Sequence, residues 1–273
     1  MAREFAACLE ACYRAMNIMM DAILKFHTTN QKRKIAYKKI EWELTNRPGV
    51  LFLGGLASDM EGTKANYLAQ WCQSNKKSFL RFDYSGHGKS DGIFTNGSIL
   101  SWFEDALAVL DDLTNGKQIL IGSSMGGWIA LLLAKNRPNR IHSIIGIAAA
   151  PDFTEDLMWS NFNDNEKKRI IEDGILLQES EYSDEPYKIS RNLILDSKNC
   201  LVLREKLNFE FPIRLLQGTA DNDVPLDLAL RLINHIDCND AKLEIVKGAD
   251  HSFSSEKCLK LIVNNLEELL EFE

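Results

Sequence analysis

From residue 35 onward the chain alternates short apolar runs with segments whose apolar residues recur at helical spacing, and few folds accept that alternation. Strands joined by helical crossovers lie parallel, and a parallel sheet is covered on both faces, so its strands read as continuous apolar runs. Residues 50–53 (Val-Leu-Phe-Leu) and 118–121 (Gln-Ile-Leu-Ile) are such runs, and 78–83, 141–147, 212–216 and 242–246 are read as further strands of the same sheet. One or two earlier strands are expected within residues 35–44. Helices are predicted over 63–74, around Leu100, Phe103, Leu107 and Leu110, over 125–135, and around Leu259, Ile262, Val263, Leu266 and Leu269. The pattern predicts one α/β domain, with a mostly parallel central sheet flanked by helices.

Between residues 151 and 210 the alternation fails: acidic and aromatic residues mix (Trp159, Phe162, Tyr182, Tyr187) and no strand resembles the others. This segment is read as an inserted cap, leaving 28–150 and 211–273 as the core and 1–27 as an N-terminal extension. Asn17 and Asp21 interrupt the apolar run of that extension, and Glu4 and Glu10 are foreign to a transit peptide, so neither a signal peptide nor a membrane span is expected. An amphipathic helix, or a stretch upstream of a start at Met19 or Met20, are the two readings left open. A net charge of −7 opposes binding to nucleic acid or an anionic membrane. The six cysteines are scattered, which implies no disulfide framework. Cys8 and Cys12 carry helical spacing with no nearby His, so they read as packing residues rather than metal ligands. A reducing compartment follows, meaning the cytoplasm.

Gly122-Ser123-Ser124-Met125-Gly126 fits G-x-S-x-G, a pattern that is weak alone. Its context is stronger: it joins a buried strand to a buried helix, where only small residues can flank a nucleophile on so tight a turn. The ordinary alternative is a plain turn with a helix-capping serine. A serine hydroxyl needs a base to take its proton and a carboxylate to hold that base in the right tautomer. Asp221 and His251 follow in that order, each directly after a predicted strand, at the strand ends where open α/β sheets bind ligands. Alone, Asp221 reads as a turn residue and His251 as a structural one; the joint arrangement is what points to a triad. Asp223 and Asp250 are the competing acids. His87 precedes Ser124 in the chain and ranks below His251 as a base. Gly54-Gly55-Leu56 ends an apolar run, and the backbone N–H of Leu56 is expected to join that of Met125 in holding an oxyanion, with Gly55 beside the substrate. Trp159 of the cap is the expected wall of an acyl pocket, although packing the cap onto the core is an equal alternative.

Together Gly54-Gly55-Leu56, the 83–90 turn, the Ser124 turn, Gly218-x-x-Asp221-x-x-Val224-Pro225 and Asp250-His251 resemble the α/β-hydrolase superfamily, from about residue 35 to the C-terminus. Within it, the segments 81–86, 122–128 and 212–216 are similar to the palmitoyl-protein thioesterases that also hydrolyse acyl glucuronides, and to their bacterial relatives. The resemblance implies an α/β-hydrolase fold and ester or thioester hydrolysis by a Ser-Asp-His triad. It also implies no cofactor, a small-molecule or acyl-protein substrate and, if the source is eukaryotic, the mitochondrion as compartment; no metal site is expected. One departure is Gly54, where many members carry His or Pro. A C–C bond or peptide hydrolase on the same triad is the rival enzyme reading; a non-catalytic ligand-binding protein is the rival from another class.

Overall fold

The computed structural model describes residues 23–42, 47–178 and 186–272. The readings of Cys8 and Cys12, of most of the 1–27 extension, of Leu44 and of Tyr182 lie outside the described residues. The main sheet has eight strands, β1 (Lys25–Thr28), β2 (Lys34–Ile40), β3 (Gly49–Leu53), β4 (Phe79–Phe82), β5 (Gln118–Ser123), β6 (Ile141–Ile147), β7 (Ile213–Gly218) and β8 (Ala241–Val246). Their order is β1-β2-β4-β3-β5-β6-β7-β8. Only β2 runs against its neighbours; every other adjacent pair is parallel. The sheet thus begins at Lys25, earlier than the apolar alternation shows, because β1 is a mostly exposed edge strand that carries no core residues.

The helices flanking this sheet are α1 (Thr63–Ser74), α2 (Ile99–Leu113), α3 (Met125–Asn136), α4 (Leu226–His235) and α5 (Glu256–Leu270). Successive strand residues point to opposite faces, and both faces are covered. Leu51, Leu53 and Leu120 pack with Trp102 of α2, Trp128 and Ile129 of α3 and Leu228 of α4. Val50, Phe52, Ile119 and Ile121 pack the other way, with Leu68 and Cys72 of α1 and Ile262 and Leu266 of α5. This double burial is why β3 and β5 read as unbroken apolar runs.

Helix α2 is rotated from the face its apolar spacing predicts. Leu100, Phe103 and Leu107 lie only partly buried, whereas Trp102, Ala106, Val109 and Leu110 are fully buried. Asp105 sits on the buried face and blurs its pattern. Its carboxylate is satisfied there by the Arg33 guanidinium at 2.6 Å and the Ser85 N–H at 2.9 Å, as a buried charge requires.

Between β6 and β7 the chain makes a π-helical turn (Thr154–Trp159), a helix (Asp164–Asp173) and an antiparallel hairpin of Ile175–Gln178 with Tyr187–Ser190. The segment contains strands, but none that resembles those of the main sheet. They are short and bury little besides Leu176 and Ile189, so no apolar run announces them. Phe162, Ile170, Leu176, Ile189 and Ile194 form a small core of their own. Asp152 ties the start of this segment to its far end, accepting the Val202 and Leu203 N–H groups at 2.7 and 2.9 Å.

Candidate active site

Strand β5 ends at Ser123 and α3 begins at Met125, so Ser124 alone turns the chain, with φ 54° and ψ −117°. Such backbone costs on the order of 1–3 kcal/mol for a residue with a side chain and persists only where packing enforces it. Here the Ser124 N–H donates to the Ile147 carbonyl at 2.9 Å, and its carbonyl accepts the N–H groups of Gly127 and Ala150 at 2.9 and 3.1 Å. A Cβ on Gly122 would lie 2.3 Å from the Gly126 carbonyl oxygen, and one on Gly126 would lie 2.1 Å from that of Leu53. The two glycines of G-x-S-x-G are thus a steric requirement of the reversal that lifts Ser124 out of the sheet.

Asp221 and His251 sit on the turns that follow β7 and β8, and both reach Ser124. The ring Nε2 of His251 lies 3.1 Å from Ser124 Oγ, and its Nδ1 lies 3.1 and 3.0 Å from the two Asp221 oxygens. The Asp221 side chain is wholly buried while the His251 ring is partly exposed. Asp221 also accepts the N–H groups of Asp223 and Val224 at 3.0 and 2.8 Å and the Gln217 amide at 3.0 Å. Burial pushes its carboxyl up, but the bonds from His251, Val224 and Gln217 outweigh that and hold it below the ordinary aspartate value. The charged carboxylate keeps the proton on His251 Nδ1 and leaves the Nε2 lone pair for the serine hydroxyl. Asp250, by contrast, accepts from the Ser252 hydroxyl and the Phe253 N–H. Asp221, Asp223 and His251 are the grouping of potential metal ligands among the described residues, with donor atoms within 4.8 Å of one another. The Asp221 oxygens in it are already taken by four N–H donors.

Ser124 and His251 open on a cavity of about 650 Å³. Gly55 and Leu56 line it beside the serine; a Cβ on Gly55 would stand 3.5 Å from that of Ser124, in van der Waals contact. Among the hydrogen bonds of the described residues, none takes up the backbone N–H of Leu56 or of Met125. Phe153, Leu157, Met158 and Phe162 of the inserted segment line the cavity. Trp159 does not. It packs against the small core of the inserted segment, with the Lys167 and Lys198 ammonium groups 5.6 and 5.4 Å from its ring centre, so the structure places it in the packing role.

Residues 48–173 match the family described as the α/β hydrolase fold. The human mitochondrial palmitoyl-protein thioesterase ABHD10 is 33% identical over 241 residues, covering 87% of this chain and 76% of that protein. The chain belongs to the α/β-hydrolase family. A solved structure of a putative hydrolase from Agrobacterium vitis S4 is 37% identical, with a TM-score of 0.87 over 91% of this chain and 100% of that one. That of mouse ABHD10 is 31% identical, with a TM-score of 0.84 over 91% and 98%. The compartment in the names of the ABHD10 relatives is the mitochondrion, not the cytoplasm expected from cysteine usage. Among the described residues no helix is long and apolar enough to cross a membrane.

In this α/β hydrolase, three groups at the cavity escaped the sequence reading. Gln178 and Tyr187, paired across the hairpin, face the cavity from the inserted segment. No signal marked them, since neighbours in a hairpin are legible only once the hairpin is. Lys64 lines the cavity from the first turn of α1, and its ammonium donates to the Ser252 carbonyl beside His251. A clue did exist there: a cation in a helix's first turn opposes the helix dipole and asks for a reason. Burial pulls Lys64 down to about 8, against the field of Asp250.

Proposed function

We propose that this hydrolase is a serine-dependent acyl hydrolase of the ester-bond class, cleaving carboxylic esters or thioesters through an acyl-enzyme. The observation that carries the reading is the continuous hydrogen-bonded path from Ser124 through His251 to Asp221, opening on a cavity whose lining includes Phe153, Leu157, Met158 and Phe162. Ser124 Oγ attacks the acyl carbonyl as His251 Nε2 takes its proton, and Asp221 stabilises the imidazolium that forms. The N–H groups of Leu56 and Met125 hold the developing oxyanion. His251 then protonates the leaving alcohol or thiol, and a water that it deprotonates releases the acid and restores Ser124.

Residues 151–210 act in this reading as a cap, with Phe153, Leu157, Met158 and Phe162 against the acyl chain. Thioesters, acyl-protein thioesters among them, enter as substrates on the likeness to ABHD10, and the mitochondrion as the compartment if the source is eukaryotic. The test is covalent labelling with a fluorophosphonate, read by mass spectrometry. The adduct should sit on Ser124 and vanish in Ser124→Ala; labelling elsewhere, or none in folded wild type, overturns the assignment.

A further inference from the structure

The turn that follows β4 grips the loop between β3 and α1 at two points. The buried His87 ring accepts the Ala57 N–H at Nε2 over 3.2 Å. At the other point Asp83 Oδ1 accepts the Met60 N–H at 2.7 Å, and Arg81, at the end of β4, donates to the Met60 carbonyl at 3.0 Å. Leu56 immediately precedes the first grip. Ala57 holds a left-handed φ of 55°, and Ser58 closes the turn from the inside, its hydroxyl donating to the Gly55 carbonyl at 2.8 Å. The peptide planes on either side of Leu56 are thus fixed from within by Ser58 and from without by His87.

The imidazole is chemically suited to that grip. Burial pushes His87 down to about 4, so the ring is neutral at neutral pH. With Nε2 accepting from Ala57, the ring proton sits on Nδ1, which faces the Ser85 carbonyl at 3.3 Å. The ring also packs edge-on against Phe94 and Trp102, at centroid distances of 5.1 and 5.0 Å. A phenyl ring could supply that packing but not the acceptor.

We propose that His87 is a positioning residue for the oxyanion hole: by accepting the Ala57 N–H it sets the Leu56–Ala57 peptide plane and, with Ser58 holding the preceding plane, aims the Leu56 N–H at the Ser124 reaction centre. The proposal rests on the serine-hydrolase reading above. Ala57 is exposed, so in a variant without the acceptor its N–H turns to water and the fold survives while the loop loses its aim.

The experiment compares wild type, His87→Phe and His87→Gln in kcat and KM for p-nitrophenyl butyrate, in affinity for a trifluoromethyl ketone, and in melting temperature. The ketone's serine adduct places an oxyanion where the substrate's forms, so its affinity reads the donors directly. His87→Phe should lose kcat by about tenfold or more, less than removal of a whole donor costs, with KM nearly unchanged and ketone affinity falling alongside. His87→Gln keeps an acceptor and should recover most of both. Wild-type kcat and ketone affinity in His87→Phe would overturn the proposal, and so would equal losses in the two variants, since the loss would then follow packing. Should His87→Phe not fold, His87→Leu against His87→Gln reads the same difference. A wild type that binds no ketone, or a Ser124→Ala protein that binds it equally well, means instead that the serine-hydrolase reading fails, and the proposal with it.

Discussion

The sheet with its helices and the 151–210 segment meet at one cavity, yet they are built to different standards. The strands beneath Ser124 are buried on both faces between two large apolar clusters, and the turn that carries the serine is enforced by backbone contacts at 2.1–2.3 Å from where any added Cβ would stand. The inserted segment has a core of its own of only five buried residues, joins the larger cluster through residues such as Phe153, Leu193, Val202 and Leu203, and leaves Ile171, Ile175, Leu177 and Leu195 from 38 to 52% exposed. Ser124, Asp221 and His251 sit on the first region, and Phe153, Leu157, Met158 and Phe162, which line the cavity, sit on the second. Regions with few buried contacts open at lower free energy than the global fold. The difference assigns rate to the core and selectivity to the inserted segment, and each assignment can be broken.

The largest effect should come from the core. Ser124→Ala removes the nucleophile and should abolish turnover of a p-nitrophenyl ester while circular dichroism and melting temperature stay close to wild type. Near-wild-type turnover by the pure variant would refute the nucleophile. Next, Asp221→Asn should lower kcat by about 10⁴-fold, since an amide there favours the wrong His251 tautomer. Asp223→Asn and Asp250→Asn should cost far less, because Asp223 bonds to Asp221 through its backbone and Asp250 serves its own turn. A greater loss at either would move the acid.

The same division explains how much was legible in the sequence. Strands β3, β5 and β6 and helices α1 and α3 were readable because double burial demands continuous apolar runs, and a tight reversal demands glycines at Gly122 and Gly126. Ser124, Asp221 and His251 were readable because each falls on a turn whose strand is itself legible. Helix α2 misled where a partnered buried Asp105 replaced an apolar residue on the inner face. The hairpin was missed because two inward side chains make no periodic signal, and with it went Gln178 and Tyr187. Trp159 drew attention by its size, but two lysines and a small core hold it away from the cavity.

A smaller effect tests the inserted segment. If Phe153, Leu157, Met158 and Phe162 contact the acyl group, kcat/KM should rise along a thioester series from acetyl to palmitoyl by up to about 0.8 kcal/mol per buried methylene until the cavity fills. Leu157→Ala should flatten that rise, and Trp159→Ala should leave it unchanged. A flat wild-type profile would remove the acyl-binding role from the segment. Sensitivity to Trp159→Ala alone would show that the segment moves enough to bring Trp159 inward, which sharpens rather than cancels its contrast with the core.

The smallest effect concerns Lys64, the half-buried cation on the core side of the cavity. Its folded-state value is lowered to about 8 from 10.5, chiefly by burial, with the field of Asp250 opposing. Below about pH 8 folded and unfolded chains both hold the proton, so the full cost of burying the charge is present. Between 8 and 10.5 the unfolded chain holds a proton that the folded one has released, and stability rises with pH. Lys64→Met should therefore raise the melting temperature at pH 7 by a few degrees, with at most about 3 kcal/mol involved, and the gain should shrink as the pH climbs through 8 toward 10.5. A gain that does not change with pH would assign it to better packing instead. A loss at pH 7 would mean that the bond to the Ser252 carbonyl outweighs the burial cost, making Lys64 a tie between α1 and the His251 turn. In that event kcat should fall with the melting temperature, because the displaced turn carries His251.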